Sequence, residues 1–266
     1  MSERGYRTAL TIAGTDPSGG AGINADIRTF VDHGVLALTA ITCVNAQNTA
    51  AFHRIDPIPG DAVTAQLQSI FSDIPVDAIK IGMLCSSEQA AAVAGFLRGL
   101  TGLPPIVIDP VLCSSNGTAL LDDAGVNVLK DDLIGLATLV TPNRVEAKIL
   151  AGGETADTWA RRCPTAVLIT GGDIAGDKVT DLLFARGTTR FSAHRIADGP
   201  GVRGTGCALS SAIAAQLALG KELEDAISAA RHYVRGRIAA AIAVGAGRRV
   251  MISGTTIALD GPGGQS

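Results

Sequence analysis

The sequence predicts an α/β fold built on a mostly parallel sheet with helices on both faces. Three observations carry that expectation. Strand-like apolar runs alternate with stretches of helical period, the mark of repeated βα units. Hydrophobic residues make up 47% of the 266 residues and aromatics only 3%, so the apolar content is largely Ala, Val, Ile and Leu, which suits helices packed closely on branched strands. Polar residues and glycines gather just after the strand-like runs, where open α/β sheets take their ligands.

In order, RTALTIAG reads as the first strand, TDPSGGAG as a loop and INADIRTFVDHG as a helix. VLALTAITCV is expected as one second strand, and AFHRIDPI as a short edge strand because of its proline. GDAVTAQLQSIFSD is helical, DAIKIGM a strand, SSEQAAAVAGFLRGL a helix with a serine cap, and PPIVIDP a strand ended by proline. DDAGVNVLKDDL is a helix, LATLVTP a strand, and NRVEAKILAG a helix closed by glycine. TAVLIT is a strand, VTDLLFARG and TTRFSAHRI form a hairpin, and two long helices follow from TGCALSSAIAAQLALG onward. With no internal repeat and no clear linker, residues 1–266 are expected as a single domain, with a glycine-rich, weakly patterned tail from about residue 245.

A formal net charge of −3 with no basic run argues against nucleic-acid binding. The N-terminal residues carry no uninterrupted apolar region, and the apolar stretches fall short of the roughly 18 residues a membrane span needs, so a cytoplasmic protein is expected. Cys43, Cys85, Cys113, Cys163 and Cys207 are odd in number and widely spaced, which supports neither a disulfide framework nor a zinc site. His33, His53, His194 and His232 have no metal-binding spacing.

GPGVRG satisfies G-x-G-x-x-G formally, but Pro200 interrupts it and no parallel strand leads into it, so a dinucleotide fingerprint is rejected. Residues 204–207, GTGC, are a better anion device: small residues let backbone N–H groups converge at a helix N-terminus. A thiol in that first turn is expected to have a lowered pKa and to serve as a base, with a packing role for Cys207 equally open. Asp109, Asn143 and Glu146 offer hard oxygen ligands for Mg²⁺, while Asn143 with Glu146 also reads as a plain capping box. Gly14, Asp16 and Asn24 follow the first strand, Gln47 can donate and accept at a heteroaromatic edge, and Met83 is either core or a ligand platform.

IAGTDPSGGAGINADIRTF, ITCVNAQNT, IKIGML, VIDPVL, VTPNRVEA and GTGCALSSAIAA occur in that order. Together they resemble the hydroxymethylpyrimidine/phosphomethylpyrimidine kinases of thiamine synthesis, in the ribokinase-like superfamily. The resemblance spans roughly residues 8–240. It implies a three-layer α/β/α fold and ATP-dependent, Mg²⁺-dependent phosphorylation of a hydroxymethyl group and then of the monophosphate, with a homodimer as the family expectation. By that resemblance Gly204, Thr205 and Gly206 form the anion hole and Cys207 is the base. Gly14, Gln47, Met83 and Val111 line the pyrimidine pocket with Asp16 close by. Asp109 and Glu146 organise the metal, and Asn143, Thr170, Gly172 and Arg203 fall on the ATP side. The family usually has a lysine where this chain has Thr170, and a histidine is common where it has Arg203. Arg203, or less favourably Lys178, is therefore expected to replace the missing charge. A pyridoxal kinase, a specialised-pathway paralogue and a pyrimidine-binding sensor are the other readings.

Overall fold

The computed structural model describes residues 5–113, 118–172, 175–196 and 201–253. In chain order its strands are β1 (Arg7–Ala13), β2 (Val35–Ile41), β3 (Cys43–Gln47), β4 (Phe52–Pro57), β5 (Ala78–Ile81), β6 (Ile106–Ile108), β7 (Leu139–Val140), β8 (Ala166–Ile169), β9 (Lys178–Phe184), β10 (Thr188–His194), β11 (Val202–Arg203) and β12 (Arg249–Val250). The helices are α1 (Gly22–Asp32), α2 (Gly60–Phe71), α3 (Ser87–Arg98), α4 (Asp123–Val128), α5 (Arg144–Ala151), α6 (Ala156–Arg162), α7 (Thr205–Ala218) and α8 (Leu223–Ala239).

Eight strands form the central sheet in the order β10-β9-β8-β7-β6-β5-β1-β2. β1, β2, β5, β6, β7 and β8 are parallel, so their carboxyl ends open at one edge; β9 pairs antiparallel with both β8 and β10. The period of two along each strand sorts side chains between the layers. Leu10, Ile12, Ile79, Ile81, Ile106 and Ile108 pack on the layer of α2 and α3. Ala9, Ala78 and Val107 face the opposite layer, where α7 and α8 supply Ala212, Ile213, Ala226 and Ile227. This is the expected three-layer α/β/α arrangement.

The expected second strand is two strands. β2 ends at Ile41, and β3 turns away to pair antiparallel with β4 in a separate two-stranded sheet. Thr42 makes the corner: its N–H bonds Ala13 O at 3.0 Å, its carbonyl accepts from Ile58 N at 2.8 Å, and its hydroxyl donates to Met83 O at 2.6 Å. The proline-marked run therefore pairs in this hairpin and not at an edge of the main sheet. The expected helix after Asp122 also breaks early, with α4 giving way to a π turn at residues 129–133 and a 3₁₀ turn at 134–136. α6, capped by Thr155, has no counterpart among the expected elements. Part of the tail is ordered on the body, since β12 pairs in parallel with β11; residues 254–266 lie outside the described residues.

One buried polar cluster joins the sheet to the α1 and α7 layer. Lys80, fully buried on β5, reaches Asp26 Oδ2 of α1 at 2.9 Å, and both side chains are inaccessible to solvent. Asp26 also accepts from Thr11 at 2.6 Å and from Ser211 of α7 at 2.7 Å. Burial opposes the charge on Lys80, but Asp26, then Cys207 and Asp109, outweigh it and raise the lysine's pKa. Asp26→Ala strands a buried cation and should lower stability by about 3–5 kcal/mol. Urea denaturation checks this, and a midpoint matching the parent chain would contradict it.

Candidate active site

α7 begins at the carboxyl edge of the sheet, and its entry depends on Gly204. That residue caps the helix in the left-handed region at φ 75°, and a Cβ there would stand 1.9 Å from Gly20 O. Only glycine permits both the dihedral and the contact. The seat presses α7 against the loop after β1 and leaves the first backbone N–H groups, at Thr205, Gly206 and Cys207, without intrahelical partners. No side chain caps this end. The dipole and the N–H groups together favour an anion.

Cys207 lies in that first turn, half-buried. Burial pushes its thiol up to about 12; Lys80 pulls it down, Asp109 and Asp26 push it further up, and a hydrogen bond with the Gly22 backbone lowers it slightly. This corrects the expectation of a lowered pKa. The helix N-terminus is outweighed by burial and by two carboxylates close at hand.

Asp109 follows β6 and is 7% exposed. Its Oδ2 accepts from the Ser210 hydroxyl at 3.2 Å and faces the first turn of α7, where a Cβ on Gly206 would stand 3.9 Å away. Burial raises its pKa against the pull of Lys80, with Asp26 adding to the rise. Glu146, buried a little more deeply, follows the neighbouring strand β7. It forms the capping box with Asn143: Asn143 N donates to Glu146 Oε2 at 3.0 Å, and Glu146 N donates to Asn143 Oδ1 at 3.0 Å. The ordinary structural role is thus present at these two residues. Among the described residues no three His, Cys, Asp or Glu side chains converge as a metal cluster. The donor set suits Mg²⁺ all the same, because that ion takes one or two carboxylates and completes its shell with water and phosphate oxygens.

The residues expected on the substrate side come together. A Cβ on Gly14 would lie 2.5 Å from Cys43 Sγ, so the loop after β1 runs directly against the β3–β4 hairpin. Asn45 ties the two: its backbone N–H donates to Thr15 Oγ1 at 3.1 Å, and its Nδ2 donates to Thr15 O at 2.8 Å. Met83 and Val111 meet in one apolar cluster with Cys43, Leu120 and Phe52. Asp16 is fully buried, with Oδ1 held by the N–H and hydroxyl of Ser18 at 2.9 and 2.7 Å, and Asn24 Oδ1 accepts from Asp16 N at 3.1 Å.

Thr170 follows β8 and bridges in parallel with Asn143, with Thr170 N bonded to Pro142 O at 2.9 Å. Gly171 N donates to Asp181 Oδ1 at 2.7 Å, Asp181 pairs with Arg231 of α8, and Arg195 donates to Gly172 O at 3.0 Å. The loops singled out as closing segments, after Val111 and around Gly171, lie partly outside the described residues. Arg203 is not directed at this region. Its Nε pairs with Asp16 Oδ2 at 2.9 Å and its Nη2 donates to Gln47 Oε1, so its charge is matched by a buried carboxylate in the loop after β1. Lys178 is exposed on β9, in register with His194.

Sequence reasoning missed Lys80, Asp26 and Arg195. A lysine inside the apolar strand AIKI and an aspartate on the inward side of α1 were the available signals for the first two. Arg195 offered none, because only the hairpin geometry carries it to Gly172.

Comparison with known proteins adds to this geometry. Residues 16–251 match the family model described as phosphomethylpyrimidine kinase. A hydroxymethylpyrimidine/phosphomethylpyrimidine kinase of Synechococcus elongatus is 44% identical over 250 residues, covering 90% of this chain and 94% of its own. A solved phosphomethylpyrimidine kinase from Clostridium difficile superposes with a TM-score of 0.75 at 33% identity, covering 87% of this chain and 99% of its own. The ADP complex of Bacillus subtilis pyridoxal kinase superposes with a TM-score of 0.83, also at 33% identity, covering 92% and 97%.

The raised thiol makes a direct prediction. At pH 8, iodoacetamide should label Cys207 of the ligand-free protein at least ~10-fold more slowly than a free cysteine, with the rate still climbing above about pH 10. The folded chain keeps this proton after the unfolded chain has released it. The thiol's contribution to stability is therefore complete below the ordinary thiol range and is lost as pH rises toward about 12. Peptide mass spectrometry reads the labelling, and an inflection near the ordinary thiol range would contradict the assignment.

Proposed function

The chain belongs to the phosphomethylpyrimidine kinase family, and from that premise we propose that it transfers the γ-phosphate of ATP to the hydroxymethyl group of 4-amino-5-hydroxymethyl-2-methylpyrimidine and then to the resulting monophosphate. The protein is a phosphotransferase acting on a small molecule with ATP. The observation that carries the finer reading is the seat of α7. Gly204 locked on Gly20 sets the first turn of α7 beside Asp109, with the Cys207 thiol against the Gly22 backbone.

The residues divide the work as follows. The pyrimidine ring lies on Met83 and Val111, with Gln47 at its edge and Gly14 leaving room for it. Thr205, Gly206 and Cys207 present N–H groups to the transferred phosphoryl oxygens, where fixed donors stabilise developing charge without reorganising. In the loaded site the Cys207 thiol first gives its own proton to solvent water, and the resulting thiolate Sγ then receives the acceptor hydroxyl's proton. Asp109 controls that step: as a bare carboxylate it opposes ionisation of the thiol, and with its charge compensated it no longer does. Asp109 and Glu146 are the residues that would hold Mg²⁺, which when bound supplies charge neutralisation to the ATP phosphates. Asn143, Thr170 and Gly172 border the nucleotide side, with Arg195 bracing the glycine turn.

A second reading, phosphorylation of pyridoxal, is favoured by the match to the Bacillus subtilis pyridoxal kinase. Among the described residues no helix is long and apolar enough to cross a membrane. A homodimer in the cytoplasm accords with the family reading.

The test is a product assay with Mg-ATP and the pyrimidine alcohol, its monophosphate and pyridoxal, read by mass. The expected products are the pyrimidine mono- and diphosphates; phosphorylation of pyridoxal alone would replace this reading with the second. In the same assay Cys207→Ala should lower kcat by about 100- to 10,000-fold, the range of a positioned base. Unimpaired turnover would return Cys207 to packing.

A further inference from the structure

We propose that Arg203 is a specificity-determining positioning residue that fixes which face of the Gln47 carboxamide the substrate ring meets. This rests on the reading that the ring lies against Gln47, Met83 and Val111.

Guanidinium carries donors and no acceptor. The contact of Arg203 Nη2 with Gln47 therefore requires the amide oxygen to face α7. The amide nitrogen then points to the other side, where its bond to Thr15 O is long, at 3.5 Å. That leaves Gln47 an N–H to give to a ligand, and a flipped amide would confront the guanidinium donors with another donor. The ring edge that fits is one bearing an acceptor, such as an unprotonated ring nitrogen. An edge that offers only a donor loses this bond.

Arg203 is held well enough to impose the choice. Its Nε is paired with Asp16, whose other oxygen is held by Ser18. Its stem lies along Gly20, where a Cβ would come within 2.9 Å of Arg203 Cδ. Its backbone is paired with β12. The guanidinium thus ties the loop after β1, the β3–β4 hairpin and the entry to α7 at one point. With Asp16 neutralising it, Arg203 is poorly placed to stand in for a cation at the ATP phosphates.

Calorimetric titration with the pyrimidine alcohol alone, without ATP, tests this. Arg203→Met should weaken binding by roughly 10-fold, the loss expected when a recognition hydrogen bond is no longer oriented. Affinity for a non-hydrolysable ATP analogue with Mg²⁺ should move by less than ~2-fold. Arg203→Lys should recover part of the loss. In a Gln47→Leu background, Arg203→Met should add less than ~2-fold, because the group it orients is gone. Should Arg203→Met fold poorly, Asp16→Asn/Arg203→Met keeps the charge balanced and is read in the same way. Loss of ATP-analogue affinity in place of pyrimidine affinity, unchanged pyrimidine binding, or an undiminished loss in the Gln47→Leu background would each overturn the proposal. A parent chain that binds the pyrimidine tightly but never phosphorylates it overturns the kinase reading and leaves this inference standing. A parent chain that does not bind it overturns both.

Discussion

The ion pair between Lys80 and Asp26 is the interaction on which the site depends. It lies between β5, α1 and α7, with both partners removed from solvent. Such a pair contributes little net stability against an apolar alternative, yet losing one partner is costly. Its position gives it a second consequence. Ser211 of α7 donates to Asp26, and Cys207 and Asp109 feel the lysine's charge. α7 is thereby pinned to the sheet by charges that also act on Cys207 and Asp109, beside the larger effect of burial.

The raised thiol follows from that arrangement. A cysteine at a helix N-terminus invites the expectation of an acidic thiol, and near solvent the dipole would favour one. Here burial of the thiol is the larger effect, and Asp109 and Asp26 add to it against the pull of Lys80. A resting thiol that holds its proton is protected from casual oxidation and alkylation. Compensating the charge on Asp109 would remove one of the effects that hold the proton on the thiol, beside the larger effect of burial.

Much of the architecture was legible in the sequence because local pattern and tertiary position agree along it. The alternating strand and helix periods, the serine cap before α3 and the glycine after α5 all recur in the structure, and Asp109 and Asn143 lie beyond the carboxyl ends of β6 and β7 as expected. The failures have a common physical source, since each depends on a distant partner. VLALTAITCV is one uniform β-prone run, and it breaks at Thr42 because that residue's hydrogen bonds reach β1, Ile58 just after β4 and Met83 two residues past β5. Arg203 was expected at the ATP phosphates because a charge is missing at Thr170, but its direction is set by Asp16, 187 residues away in sequence. Depth and direction of a side chain are tertiary properties, and neither is written in local pattern.

The central claim is that Cys207 takes a proton while the phosphoryl group passes directly from ATP to the acceptor hydroxyl. The stereochemistry at the γ-phosphorus distinguishes this from a covalent route through the sulfur. With ATP made chiral at the γ-phosphate by oxygen isotopes, a single in-line displacement predicts inversion of configuration in the phosphorylated pyrimidine. Retention would mean two displacements through a phosphorylated side chain and would contradict the account.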